Sequence, residues 1–421
     1  MSKSSVVKLG TLILALLLLW ACSVDGLDPA IPVVIGNKWT ILVYMAADND
    51  LDVAAPLDLK EMQQVGSTAN VTVLVQYDTR STPTRRYKVE RDRLVLLDDL
   101  GELSMAEPAT LRDFIVAGIQ RYPAEHYAVI LWDHGNGWQT GVDKQVAAVI
   151  EDWGNGAKKT LPMSNRQVAD GLLAAVTATG VHLDILGVDA CIMATLEAAY
   201  EFRDAAGILV SSQDNVQGFG WDYRDLLSRL TSNPLMSARD LSITMVESYR
   251  QFAESSAWGY GDQTISSISL GAGITNLARE TDSLARAILT TLNNPATKDS
   301  AVQTIFDAYA ATQTLQPPIY VDLQDFAQKL EPLASTAALQ AALKSVTIAA
   351  YHGSKRPRAN GLNIVFINLP EAIRFSAYDF DYTNVSPITG ALTNTSFILE
   401  YNWDEMMNAY FALKYPNLIR K

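Results

Sequence analysis

Trp132-Asp133-His134-Gly135-Asn136-Gly137-Trp138 and Gly187-Val188-Asp189-Ala190-Cys191 each follow an apolar run. They place an imidazole and a thiol where a buried sheet strand should end. A thiol beside an imidazole is a nucleophile beside its base, the pairing that supports covalent acyl transfer. Little else in the chain competes for these roles. The other histidines are His126, His182 and His352, and the only other cysteine, Cys22, belongs to an N-terminal signal.

The elements that must position the two groups are legible from hydrophobic patterning. Near-continuous apolar runs at 40–45, 71–76, 128–132, 183–188 and 208–211 suit strands covered on both faces. The segments between them, 51–66, 110–122, 165–179 and 192–206, carry helical spacing. Partial alternation over 86–97 predicts an added hairpin. The expected product is an α/β fold, a mainly parallel central sheet sandwiched between helical layers. Reactive groups in such sheets collect beyond the carboxyl ends of neighbouring strands, where His134 and Cys191 both fall. The 57 positions separating them hold one crossover and an insertion. About 380 residues follow the start of folding near Trp39, so a core over 39–275 and a smaller C-terminal helical region with added strands over 276–421 are expected.

Ile192, Met193, Leu196, Ala199 and Tyr200 follow a helical period, which predicts Cys191 at a helix N-terminus. Backbone N–H groups and the macrodipole there would lower a thiol pKa from its usual value of about 8.5. Gly135 and Gly137 lack side chains, so a substrate backbone can approach and N–H groups can converge on a developing oxyanion.

At these residues the chain resembles the clostripain family of cysteine peptidases, relatives of caspases, gingipains and legumains. The likeness runs from Trp39-Thr40-Ile41-Leu42-Val43-Tyr44-Met45-Ala46-Ala47-Asp48-Asn49-Asp50-Leu51 through both site segments to Ser211-Ser212-Gln213-Asp214 and Gly220-Trp221-Asp222-Tyr223. A weaker echo lies at 361–366 and 403–405. The resemblance implies a caspase-like three-layer sandwich and endopeptidase activity. It implies Cys191 as nucleophile and His134 as its partner, in a dyad with no obligatory third residue. The backbone N–H groups of Gly135 and Cys191 would receive the oxyanion. Asp189 would line a pocket for an arginine or lysine side chain, with Phe219 and Trp221 at its border; capping of nearby N–H groups is the competing reading of Asp189. Basic-selective relatives can carry a second acid just before the glycine-tryptophan pair, where this chain has Phe219, so an apolar preference competes. Lys158 and Lys159, in a polar turn between the dyad segments, are the implied self-cleavage positions, against an unprocessed loop.

The N-terminus bears on compartment. Lys3 and Lys8 precede an uncharged run from Leu9 to Ala21, an export signal too short to span a bilayer comfortably. Leu19-Trp20-Ala21-Cys22 resembles a bacterial lipobox, although Trp20 is bulky for it; an ordinary signal peptide is the alternative. On the first reading residues 1–21 are removed, Cys22 is acylated, and 22–38 tether the fold to a membrane, with an outer-membrane or cell-surface address. Removal takes away two lysines and no acid, moving the net charge from −13 to −15. That disfavours nucleic-acid partners and leaves a peptide or protein as the expected substrate. Cys191 then has no disulfide partner within the chain. No cofactor is expected. Calcium stays open because of Asp48, Asn49, Asp50 and Asp52, but counted from Asp48 the loop lacks the glycine and glutamate of an EF-hand, and helix capping fits it better. Zinc-ligand spacing is absent. Two rivals to a peptidase remain, a catalytically silent surface binding protein on the same fold and an acyl-transferring transpeptidase.

Overall fold

The sequence of β1 (Trp39–Ala47) shows how the layers arise. All nine residues are buried, and alternate side chains enter different cores. Leu42, Tyr44 and Ala46 pack on one face of the sheet; Ile41, Val43 and Met45 pack on the other. Each fully buried aliphatic side chain contributes about 1.5–3 kcal/mol, so a strand apolar on both faces is stable only between two covering layers.

The computed structural model describes residues 36–137, 149–154, 162–255, 260–316, 318–368 and 396–416. After β1 a 3-10 turn (Asp50–Val53) leads into α1 (Ala55–Val65), then β2 (Val71–Thr79), β3 (Thr82–Glu90), β4 (Arg93–Asp99), α2 (Pro108–Arg121) and β5 (His126–Trp132). Next come α3 (Asn165–Thr179), β6 (Leu183–Asp189), α4 (Leu196–Glu201), β7 (Ala206–Ser211), α5 (Tyr223–Ser232), α6 (Ala238–Glu254) and β8 (Thr264–Ser269). The remainder is α7 (Ala272–Asn293), α8 (Lys298–Ala311), β9 (Tyr320–Asp322), α9 (Leu323–Leu330), α10 (Ala337–Val346), β10 (Thr347–His352), β11 (Asn363–Val365), α11 (Ser396–Glu400) and α12 (Trp403–Lys414).

Among the described residues nine strands form one sheet in the order β10-β8-β7-β6-β5-β1-β2-β3-β4. The middle five, β7-β6-β5-β1-β2, run parallel, and an antiparallel pair extends each edge. Helices α1, α5 and α6 cover one face; α2, α3, α4 and α7 cover the other. The expected three-layer α/β sandwich is what forms, and the hairpin expected over 86–97 is the β3–β4 pair.

The region beyond 275 is part of this body. The expected boundary falls inside α7, and β10 supplies the outer strand of the main sheet. A short antiparallel pair, β9 with β11, lies apart from that sheet, and Trp403 Nε1 of α12 donates to Val365 O at 2.8 Å. No helix among the described residues is long and apolar enough to cross a membrane.

Candidate active site

Strand register brings the two candidate groups together. Trp132 of β5 is paired with Asp189 of β6 in parallel register, so His134 and Cys191 each lie two residues past a matched pair. Asp133 N donates to Asp189 O at 3.4 Å. The Gly135 backbone lies against that of Cys191: a Cβ added there would stand 3.0 Å from Cys191 N and closer still to Cys191 O. His134, Asp189 and Cys191 open into one cavity of about 480 Å³, whose walls include Leu51, Trp132 and the 215–218 loop.

The histidine loop is held by buried polar groups. Asp133 accepts from His134 N at 2.6 Å, from Asn49 Nδ2 at 2.8 Å and from Glu151 N. Burial nonetheless pushes the Asp133 carboxyl well above the usual range, against the pull of those donors. Asn49 also caps the 3-10 turn through Leu51 N at 2.8 Å. That turn presents Asp50, whose Oδ1 lies 2.7 Å from His134 Nε2. Further along, Tyr320 donates to Asn136 O at 2.6 Å, and Asn165 Nδ2 donates to Gly137 O at 3.0 Å.

Cys191 does not sit at a helix N-terminus, contrary to the periodicity of its neighbours. Helix α4 begins only at Leu196, capped by Thr195, whose side chain accepts from Ala198 N. The intervening backbone is drawn off elsewhere: Ile192 N donates to Asp214 O at 3.1 Å, Ala194 N to Ser212 O at 2.8 Å, and Asn363 N to Ala194 O at 2.8 Å. Ile192 adopts φ 62°, a left-handed conformation costly for a β-branched residue. The thiol environment is also the reverse of that expectation. Burial pushes the Cys191 thiol up, Asp189 and Asp214 add to this, and only the Val216 N–H, 3.3 Å from Sγ, opposes it.

Asp189 both accepts hydrogen bonds and borders the cavity. Its Oδ2 accepts from Trp221 N at 3.1 Å and Tyr223 OH at 3.0 Å, while Oδ1 is buried without a hydrogen-bond partner. Burial raises its carboxyl to about 7. Trp221 enters through its backbone; its ring packs under the sheet, where a Cβ on Gly187 would lie 3.0 Å from Cη2. Phe219 is exposed, between Gly218 and Gly220, which line the cavity. Cys22, Lys158 and Lys159 lie outside the described residues. His126 bonds Asp184 at 3.0 Å and stacks on Trp39 at the opposite strand ends.

The side chains of the Asp48–Asp52 loop turn to different partners. Asn49 and Asp50 serve the histidine loop, whereas Asp48 groups with Glu102 and Asp152, each offering a carboxylate oxygen within 4.8 Å of the others. Sequence reasoning missed three contributors: Asp50, Asp133 and Asp58 of α1. The last carried a signal, an acid on the buried stripe Ala55, Leu59, Met62 and Val65.

The model of the clostripain family matches residues 43–410. Clostripain of Hathewaya histolytica is 28% identical over 229 residues, 46% of this chain and 42% of that protein, so the chain spans less than half of this relative. Among solved structures, a secreted C11 cysteine protease from Bacteroides thetaiotaomicron, bound to an irreversible peptide inhibitor, aligns with 82% of this chain and 100% of its own, with TM-score 0.59 and 20% identity. An inactive zymogen C11 protease from Parabacteroides distasonis aligns with 82% and 96%, with TM-score 0.57 and 18% identity. At these identities the structural likeness is one of fold.

Proposed function

Because this chain belongs to the clostripain family, we propose that it is a cysteine endopeptidase in which Cys191 is the nucleophile and His134 its acid–base partner. The observation that carries the reading is the meeting of thiol and imidazole at the ends of paired strands, in a single cavity, with the Gly135 backbone pressed against Cys191.

The resting thiol keeps its proton, since burial raises it. As a peptide enters, that proton passes to His134 and the sulfur attacks the carbonyl carbon. The Gly135 and Cys191 N–H groups receive the negative oxygen of the tetrahedral intermediate. His134 then protonates the departing amine, the C–N bond breaks, and a thioester remains. Water attacks the thioester, giving its proton to His134 and on to the leaving sulfur, which restores the thiol. Asp50, hydrogen-bonded to Nε2, fixes the ring so that Nδ1 serves the sulfur. The arrangement is a dyad with a positioning carboxylate.

Cleavage follows arginine or lysine, for which the buried Asp189 is the specificity acid. Lys158 and Lys159 are the self-cleavage positions. The chain acts outside the cytoplasm, held to a membrane through acylated Cys22, as the Lys3–Cys22 signal supports.

The reading is tested by incubating purified protein with arginyl, lysyl and aromatic fluorogenic peptides beside Cys191→Ala. Thiol-dependent hydrolysis of the basic peptides is expected. Absence of turnover on every peptide would leave a binding protein, and aminolysis outrunning hydrolysis would leave a transpeptidase. Mass spectrometry after palmitate labelling reports the anchor: lipid on a chain beginning at Cys22 is expected, and an unlipidated mature N-terminus overturns it.

A further inference from the structure

The proposed specificity pocket lacks an acid at Phe219, yet a second carboxylate, from a different part of the chain, lies against two of its lining residues, Trp132 and Gly220. Asp58 lies on α1, on the layer beneath the parallel strands, and is 2% exposed. Its Oδ2 accepts from Trp132 Nε1 at 2.7 Å, and Trp132 lines the cavity. Gly220, another lining residue, marks the meeting point. A Cβ on Gly220 would stand 2.7 Å from Asp189 Oδ2 and 3.1 Å from Asp58 Oδ2. Gly220 also holds φ 56°, so both its backbone and the crowded acid oxygens require a residue without a side chain.

We propose that Asp58 is the second acid of this pocket, and that Asp58 and Asp189 act as one pair that selects a cationic side chain and releases a proton when it binds. The inference rests on the peptidase reading for the identity of the bound side chain. Two carboxylates this close in a buried site cannot both ionise without a cation. Burial, then Asp189, raises the Asp58 carboxyl to about 9, and burial raises Asp189 to about 7. Other titratable groups facing the pair are Glu61 on α1, Asp222 and Tyr223 at the start of α5, Tyr249 on α6 and the Cys191 thiol. They are acids, phenols and a thiol, none of which supplies positive charge to a doubly ionised pair. A guanidinium or ammonium arriving over Gly220 supplies the missing positive charge, and the shared proton leaves to solvent. The cation is thus favoured over a neutral isostere by two carboxylates rather than one.

Asp58→Asn keeps an acceptor for Trp132 and removes the charge. The ratio of kcat/KM for an arginyl peptide to that for its citrullyl counterpart is expected to fall at least about tenfold. An unchanged ratio overturns the proposal. Calorimetry of wild-type protein with butylguanidinium, in two buffers of different ionisation enthalpy near pH 7, reads the pair without any variant or turnover. Buffer-dependent heat showing proton release is expected; binding without proton release, or no binding, overturns the pair. Failure of the peptidase reading is seen separately, as wild-type protein that cleaves no peptide in a Cys191-dependent way.

Discussion

Asp50 and Asp58 lie on one short stretch of chain and each bonds a residue lining the same cavity, but solvent treats them oppositely. The Asp50 side chain is 66% exposed and touches the imidazole; Asp58 is buried beneath Gly220 and touches another acid's field. A solvated carboxylate keeps its charge at little cost, which suits a group that must hold a ring through every proton transfer. A buried one is costly to ionise and waits protonated until a cation arrives. In the proposed site one residue type thus serves orientation at the rim and selection at the floor, and burial decides which.

Removing the sulfur idles both carboxylates. Cys191→Ala is expected to cut kcat by at least about 10⁴-fold while leaving arginine-dependent substrate binding in place, measured by turnover and by fluorescence titration. Loss of binding along with turnover would mean that rim and floor are not separable. Gly135→Ala forces a methyl against the Cys191 backbone and is expected to cost about 10²–10³ in kcat/KM, because amides aimed at the oxyanion are displaced. Asp50→Asn is expected to lower kcat about 10- to 100-fold with KM little changed, and Asp50→Glu to recover part of it. A change in KM for basic peptides alone would move Asp50 to the floor's function.

The smallest effect sharpens the contrast without any substrate. Asp58 and Asp189 have folded-state values near 9 and 7, above the unfolded value of about 3.9. Between these limits the folded chain binds more protons than the unfolded one, so stability falls as pH rises and the cost is complete above about pH 9. Wild-type Tm is expected to drop from pH 5 to pH 9, by less in Asp58→Asn, and with the wild-type slope in Asp50→Asn. Calorimetric scans at both pH values check this.

Much of the scaffold was legible because local and tertiary signals agreed. Helix α3 carries a capping box, Ser164 with Gln167, and a left-handed Gly180 at its end, so its bounds matched the periodicity. The parallel strands were legible because burial on both faces leaves only apolar residues. The segment after Cys191 misled for the same reason. Residues 192–200 are nearly all buried, so their apolar spacing reports burial on every side rather than a helix face, and 192–195 pair with the tail of β7 and with Asn363 instead. Asp50 was hidden among capping acids, since nothing local distinguishes an acid that caps from one that meets a distant imidazole. Asp58 needed the register of β6 and the fold-back at Gly220 to acquire its meaning.

The backbone around Cys191, the proposed nucleophile, is braced by residues far downstream of it. Gln213 donates to Asp322 Oδ2 at 3.0 Å and to Asn363 Oδ1 at 2.8 Å, Arg356 pairs with Asp214, and Asn363 N holds Ala194 O. During synthesis, therefore, a nascent chain that has exposed His134 and Cys191 still has no rigid seat for the sulfur until Asn363, 172 positions after Cys191, has emerged as well. Assembly of the proposed hydrolytic site is in this way delayed well beyond synthesis of the two groups that would do its chemistry.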